Sequence, residues 1–319
     1  THYMFNKLQF NPGYAGAQDK ICVAGIFHTQ WTGLEDNTAN YQSDGIERSI
    51  ETGVGPKTMG FAIDAPIWNP KGKFSLGAGF SVVQDDLGYE SALKFRGALA
   101  GKYDLGNTST IALGVEVGML QKEIDGTKLL FLDPNDPNIP STVENDANMN
   151  LAAGLYYTNH LLNDLYIGLS ATNINEQKFE YGSGAISNMS KRHYYLVSGM
   201  KLPNFMGNPS LELQPSLLVK MNSTVQATLS GIVEYNNLYA GGIAYRSEID
   251  AVSILLGYRL QEDLRIGYSY DVTLNQLGRY SGGTHEFQVN YCFEIPTAPA
   301  EPPHIELTPR FLNKDPNID

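Results

Sequence analysis

The residues that could carry chemistry in this 319-residue chain are few and scattered. Its six histidines, His2, His28, His160, His193, His285 and His304, make no HExxH pair and no Cys/His cluster at zinc spacing. A Gly-x-Ser-x-Gly elbow, a Walker A loop and a strand-associated GxGxxG are all missing from the sequence. A hydrolase could still assemble a Ser/His pair from neighbouring strands, with His285 as the candidate, but a lumen or loop histidine is the simpler reading. Asp133-Pro-Asn-Asp-Pro-Asn, followed by Glu144, Asn145 and Asp146, offers oxygen ligands for calcium. It lacks the ligand spacing and the glycine of an EF-hand loop, and a solvated acidic loop is expected instead. The expectation is therefore a non-enzyme with no cofactor and no resident metal.

The elements that must position these residues are strands. From Ile21 to Trp31, Ile21, Val23, Gly25, Phe27 and Trp31 share one face, while Lys20, Cys22, Ala24, His28 and Gln30 share the other. A period of two is that of a β-strand. Similar segments recur near 57–67, 72–84, 91–103, 108–121, 147–158, 164–174, 192–202, 210–221, 224–235, 237–246, 250–260, 262–272 and 284–295, which with 20–32 makes fourteen. Each is close to the ~9–11 residues that a tilted membrane strand requires. In 224–235, Val225, Ala227, Leu229, Val233 and Tyr235 oppose Gln226, Thr228, Ser230 and Glu234; in 262–272, Leu264, Ile266, Tyr268 and Tyr270 oppose Arg265, Ser269 and Asp271. A lipid-facing Lys or Arg near the bilayer midplane costs about 2–4 kcal/mol, so charge confined to one face satisfies a physical constraint. Pro215 removes a ladder donor and predicts a bulge or a weakly paired position.

Bulk composition agrees. Charged residues are 18% and Gly (32) and Tyr (19) are abundant. No apolar run reaches the ~18 residues of a membrane helix. A net charge of −12 offers no electrostatic footprint for nucleic acid. Thr1 is followed by polar and turn residues with no basic and apolar leader, as expected of a mature exported chain.

A soluble sandwich also alternates, but loop lengths separate the two cases. Connections after even-numbered strands, such as Asp104–Asn107, Asn159–Asn163 and Asn236, are short, whereas Gly33–Pro56, Lys122–Asp146, Asn175–Lys191 and Leu274–Gly283 all follow odd-numbered ones. Short periplasmic turns and longer external loops are the asymmetry of an outer-membrane barrel. The expectation is an all-β, single closed antiparallel transmembrane barrel of 14 strands over residues 20–295. An N-terminal periplasmic segment (1–19) precedes it and a Pro-rich periplasmic tail (296–319) follows. In that tail Ile305, Leu307, Phe311 and Leu312 are anchors a pure spacer would not need, and the segment is expected to lie along a periplasmic partner. Cys22 and Cys292, inward at the same end of the first and last strands, are expected to be neighbours and a possible disulfide. With a tight Asp104–Asn107 turn, Arg96 and Glu116 fall opposite each other in the lumen. A lumen partly filled by side chains or by a terminal segment is a further expectation.

The opening residues, Tyr3-Met4-Phe5-Asn6, then Phe10-Asn11-Pro12-Gly13-Tyr14-Ala15-Gly16 and Gln30-Trp31-Thr32-Gly33, resemble the PorP/SprF family of outer-membrane proteins of the Bacteroidetes type IX secretion system. Gly13 departs slightly from the family's usual NPAYAG. The resemblance continues through Gly77-Ala78-Gly79-Phe80, Gln84-Asp85-Asp86-Leu87-Gly88 and Thr308-Pro309-Arg310-Phe311. It implies a non-enzymatic outer-membrane barrel of secretion and gliding-motility machinery. The implied partners are periplasmic ring or peptidoglycan-binding components and the C-terminal domain of a large secreted adhesin or effector. External loops would meet the exported partner, and the N-terminal segment and tail, with Pro309 and Arg310, would face the periplasmic components. A passive porin or small-solute transporter is the alternative.

Overall fold

The computed structural model describes residues 1–36, 51–52, 55–70, 72–106, 108–128, 142–181, 186–248, 251–261 and 263–294. Among them are fourteen wall strands: β1 (Ile21–Thr29), β2 (Lys57–Trp68), β3 (Phe74–Leu87), β4 (Glu90–Gly106), β5 (Ser109–Asp125), β6 (Val143–Asn159), β7 (Leu165–Thr172), β8 (His193–Gly199), β9 (Leu211–Met221), β10 (Val225–Tyr235), β11 (Tyr239–Arg246), β12 (Ala251–Gln261), β13 (Leu264–Thr273) and β14 (Thr284–Phe293). Each pairs antiparallel with its neighbours in the chain, and β14 returns to β1, so the sheet closes as a 14-stranded barrel. Closure runs from Ile21 opposite Phe293 to Thr29 opposite His285. It leaves the sheet with no first and last strand to present as edges.

The two faces sort as the alternation requires. On β10, Val225 and Leu229 are 61% exposed on the outside, whereas Thr228, Ser230, Ile232 and Glu234 are buried inside. Trp68, Phe74, Tyr103, Tyr235, Tyr239 and Tyr291 remain exposed at the ends of strands beside the short turns. They form the aromatic girdle of a membrane boundary, where a ring can sit between acyl chains and water.

Strand bounds differ from expectation at the long-loop end. β4, β5 and β6 each run 17 residues, longer than their apolar alternation suggested. Here the outer face has turned polar, with Gln121 opposite Ala147 and Glu123 opposite Asn145, so the ladder continues where hydrophobicity no longer marks it. β8 is shorter than expected. Its ladder with β9 lapses at Pro215, between the Gly199–Ser216 and Leu202–Leu213 pairs, with no register shift toward β10. Gln30 and Trp31 fall beyond β1, in a turn where Trp31 has φ 51°.

Candidate functional site

Residues 1–19 lie inside the cylinder. They form three short 3-10 turns, Tyr3–Phe5, Lys7–Gln9 and Pro12–Tyr14, and touch inward-facing groups around most of the wall. At one end of the segment the buried Glu286 carboxylate on β14 accepts hydrogen bonds from the Thr1 amine at 2.6 Å and from the His2 backbone N–H at 2.7 Å, with His2 Nδ1 also 2.7 Å away. The Thr1 hydroxyl donates to Asp271 at 2.9 Å, and Arg246 lies 3.5 Å from the same carboxylate. The Tyr3 hydroxyl sits 3.0 Å from Ser216 Oγ and 2.9 Å from Ser230 Oγ. Buried carboxylates persist only when paired and hydrogen-bonded, and here the segment supplies partners to Glu286 and adds to the pairing of Asp271 with the wall residue Arg246.

The motif residues Asn11, Pro12, Tyr14, Ala15 and Gly16 are the best seated part. Asn11 has 0% exposure. Its side-chain Oδ1 accepts from the Gly13 N–H at 2.8 Å, and its Nδ2 donates to the Leu155 and Leu169 carbonyls at 2.9 and 3.2 Å. An asparagine cap with proline next in line is the usual way to start a turn whose first N–H groups lack backbone partners. Gly16, at φ +66°, donates to Asp64 at 3.0 Å. Tyr14 meets Tyr156 edge-on at 5.4 Å. Ser170 Oγ donates to the Phe10 carbonyl at 2.5 Å, and Arg96 Nη1 donates to the Gln9 carbonyl at 3.0 Å.

Strand register builds the seat. Gly77, Ala100, Gly114, Gly154 and Ser170 are successive cross-strand partners on β3 to β7, a shelf of small residues across five neighbouring strands. A Cβ placed on Gly114 would lie 2.3 Å from backbone atoms of Pro12 and Gly13, and one on Gly77 would lie 2.1 Å from the Ala15 carbonyl oxygen. The shelf is smooth because the motif's backbone rests directly on it. Sequence reasoning missed it, although inward glycines at matching depths were the available signal. Below the motif, toward the short turns, a cavity of about 480 Å³ is lined by Lys7, Tyr14, Tyr166, Lys201 and Arg259 among others. The Lys7 ammonium rests 3.8 Å from the centre of the Tyr166 ring, a cation–π contact.

Toward the opposite end of the lumen, the described part of the connection between β7 and β8 folds inward onto β4 and β5. Its Lys178–Tyr181 and Ile186–Met189 segments pair as a ribbon. Phe179 is 0% exposed against Leu120, with Tyr181, Ala92 and Ile124 around it. Burying a phenylalanine contributes roughly 1.5–3 kcal/mol, enough to hold a short ribbon that could not stand alone.

Other residues singled out from the sequence are placed as follows. Cys22 and Cys292 are direct partners across the closing seam and are joined by a disulfide. Arg96 and Glu116 both face the lumen with 3.9 Å between their charged groups, but diagonally: the register sets Glu116 opposite Ala98 and Arg96 opposite Gly118, two residues from the expected pairing. His285 points outward, 2.8 Å from the Tyr268 hydroxyl, and has no serine partner among the described residues. Glu144, Asn145 and Asp146 belong to β6, away from the motif. Asp133–Asn138 and the tail positions Ile305, Leu307, Pro309, Arg310, Phe311 and Leu312 lie outside the described residues.

Solved structures show the same architecture at low identity. The toluene transporter TbuX of Ralstonia pickettii superposes with a TM-score of 0.52 at 11% identity, covering 92% of this chain and 94% of that one. The CymD monoaromatic hydrocarbon channel superposes with a TM-score of 0.50 at 9% identity, covering 92% and 93%. These likenesses show the barrel fold alone. No curated protein sequence matches the chain. A family model described as "Type IX secretion system membrane protein PorP/SprF" matches residues 1–291. With the resemblance of the Asn11–Gly16 motif extended over nearly the whole sequence, this outer-membrane barrel belongs to the PorP/SprF family.

Proposed function

We propose that the barrel docks and anchors a large secreted adhesin or effector at the cell surface as part of the type IX secretion and gliding machinery, while engaging periplasmic components of that machinery. The observation that supports this most is the occupied lumen: Asn11 to Gly16 rest on the shelf Gly77, Ala100, Gly114, Gly154 and Ser170, and Phe179 packs inward against Leu120 toward the opposite end. A passive porin or small-solute transporter, the alternative, needs a path through the space that these segments occupy. In the docking reading the long loops face outward and hold the C-terminal domain of the exported protein. The short turns and the C-terminal tail face the periplasm, and Ile305, Leu307, Pro309, Arg310, Phe311 and Leu312 contact a ring or peptidoglycan-binding component, while the N-terminal segment fills the lumen.

Gentle purification from native membranes tests the reading. Removing Thr297–Asp319 is expected to abolish co-purification of periplasmic components while leaving a folded, heat-modifiable barrel, and an unchanged set of companions would overturn the role of the tail. Purified barrel in planar bilayers is expected to show no steady large conductance. A persistent open channel would favour the porin.

A further inference from the structure

The wall is uneven at the long-loop end. β6 is paired with β5 over its whole length, from Val143 to Asn159, but β7 pairs with it only from Ala153 to Asn159. Along Val143–Ala152 one edge of β6 therefore pairs with no strand among the described residues, although Lys178–Tyr181 lies beside it on the inner side, with the Glu180 N–H donating to Asp146 and the Asn148 amide donating to the Lys178 carbonyl. In an antiparallel ladder, successive residues direct their N–H and C=O groups alternately to the two sides. Leu151 directs its groups toward the open side, since its carbonyl accepts from the Ile174 N–H and its N–H donates to Asn175 Oδ1. Asn145, Ala147 and Met149 share that direction.

Side chains act as stand-ins for a strand along part of this edge. The Met149 carbonyl accepts from the Asn175 and Gln177 amides, each at 2.7 Å. The Ala147 N–H is held by the neighbouring Asp146 carboxylate at 2.8 Å. The Asn145 N–H and C=O, the Ala147 C=O and the Met149 N–H have no partner among the described residues. The open positions recur every second residue, which is the spacing an extended backbone matches; a helix has no free backbone groups along its length to offer in return.

We propose that this edge, Asn145 to Leu151, receives an extended strand of the exported partner, which adds to β6 beyond the end of β7 and continues the same ladder. The inference rests on the docking reading and names the surface and the mode. The Asn175 and Gln177 amides hold the edge until the strand arrives and then yield Met149 and Leu151 to it. Charge narrows the partner further. Glu123 and Asp125 flank the edge on the outer face and Asp146 and Glu180 on the inner side, against Lys128 and Lys178, which are themselves paired with Asp125 and Glu180, and Lys122, which stands opposite Asp146 and is paired with Glu90. A strand carrying Lys or Arg at alternate positions fits. Strand addition of this kind draws affinity from main-chain hydrogen bonds and specificity from alternate side chains.

The test is amide hydrogen exchange on two preparations, the isolated barrel and the assembly purified intact from native membranes. In the isolated barrel the Asn145 and Met149 amides are expected to exchange quickly and Ala147, held only by Asp146, somewhat less so. In the assembly they are expected to slow by about tenfold or more, while Asn148, bonded into the β5 ladder, is protected in both. A second arm uses the double variant Ala147→Pro and Met149→Pro. Both prolines remove donors that point away from β5, so the barrel folds and stays heat-modifiable. The ratio of partner to barrel recovered is expected to fall by about tenfold. Unchanged exchange at Ala147 and Met149 in an assembly that retains its exported partner, or full retention by the double variant, would overturn strand addition and leave docking standing. An assembly with no exported partner would overturn docking and this inference together.

Discussion

Replacing Gly114 with alanine probes the seat of the motif without touching the motif itself. Alanine is well tolerated in a strand, and the backbone ladder between β5 and its neighbours needs nothing from the side chain. The new Cβ, however, would lie 2.3 Å from Gly13 N and Pro12 C, backbone atoms that cannot rotate away as a side chain could. The segment has to lift, and its anchoring contacts go with it. These are the two hydrogen bonds of the Asn11 amide to the Leu155 and Leu169 carbonyls, the Gly16 N–H to Asp64 and the Ser170 hydroxyl to the Phe10 carbonyl. At about 1 kcal/mol net for each, with roughly half recovered by adjustment, the seated state loses on the order of 2 kcal/mol. That shifts the population of the lifted state by roughly thirtyfold, at about 1.4 kcal/mol per factor of ten. Two readouts follow: conductance in planar bilayers should change from silent to intermittently open, and trypsin should gain access to Lys7. A variant that folds, remains silent and protects Lys7 as the parent does would refute the claim that this shelf holds the segment in place.

Three further outcomes are expected. Phe179→Ala should cost the ribbon about 3–5 kcal/mol, visible as fast amide exchange across Lys178–Tyr181 with the melting of the wall little changed. Replacing Cys22 and Cys292 with serine should leave a folded barrel of lower melting temperature, because a link across a sequence separation of 270 restrains the unfolded chain by about 5 kcal/mol in the chain-entropy view; an unchanged melting temperature would count against it. In the short turn after β6, partial burial acts to raise the Asp164 carboxyl, but hydrogen bonds from His160 and Lys201 outweigh it and hold its pKa below the usual carboxylate value. The stabilisation is then fully present above that usual value, about 3.9, and is lost as pH falls through the lower folded value. A comparison with Asp164→Asn should show an advantage for the parent near neutrality that disappears in acid. It should be small, since Asp164 is 38% exposed and screened by water.

How much of this was legible in the sequence depends on which residues carry a cost when misplaced. Strands, their number and their two faces were readable because a charge such as Arg265 or Lys220 cannot face lipid. The connection lengths then fixed which strand ends lie together and brought Cys22 beside Cys292. Features that depend on register were not readable. Gly77, Gly114 and Gly154 become one shelf only once three pairings are known to the residue, and a register two residues from the expected one is enough to place Arg96 diagonal to Glu116. The inward turn of Lys178–Tyr181 was hidden for another reason. Four residues of alternating character are too few to identify a strand, and only the apolar pocket around Leu120 explains why Phe179 turns away from water.

The disulfide at the seam also has a mechanical meaning. It joins the first wall strand to the last, so the chain from Cys22 to Cys292 is a covalent hoop whose two ends leave from one point. Tension applied to residues beyond Cys292 meets that link once the Ile21–Phe293 pair has parted, and before the rest of the β1–β14 ladder. The seam cannot be unzipped by a pull from the short-turn end, and the load passes to the whole circumference. A barrel hooped in this way can bear a pull on the chain beyond Cys292 without opening along its seam.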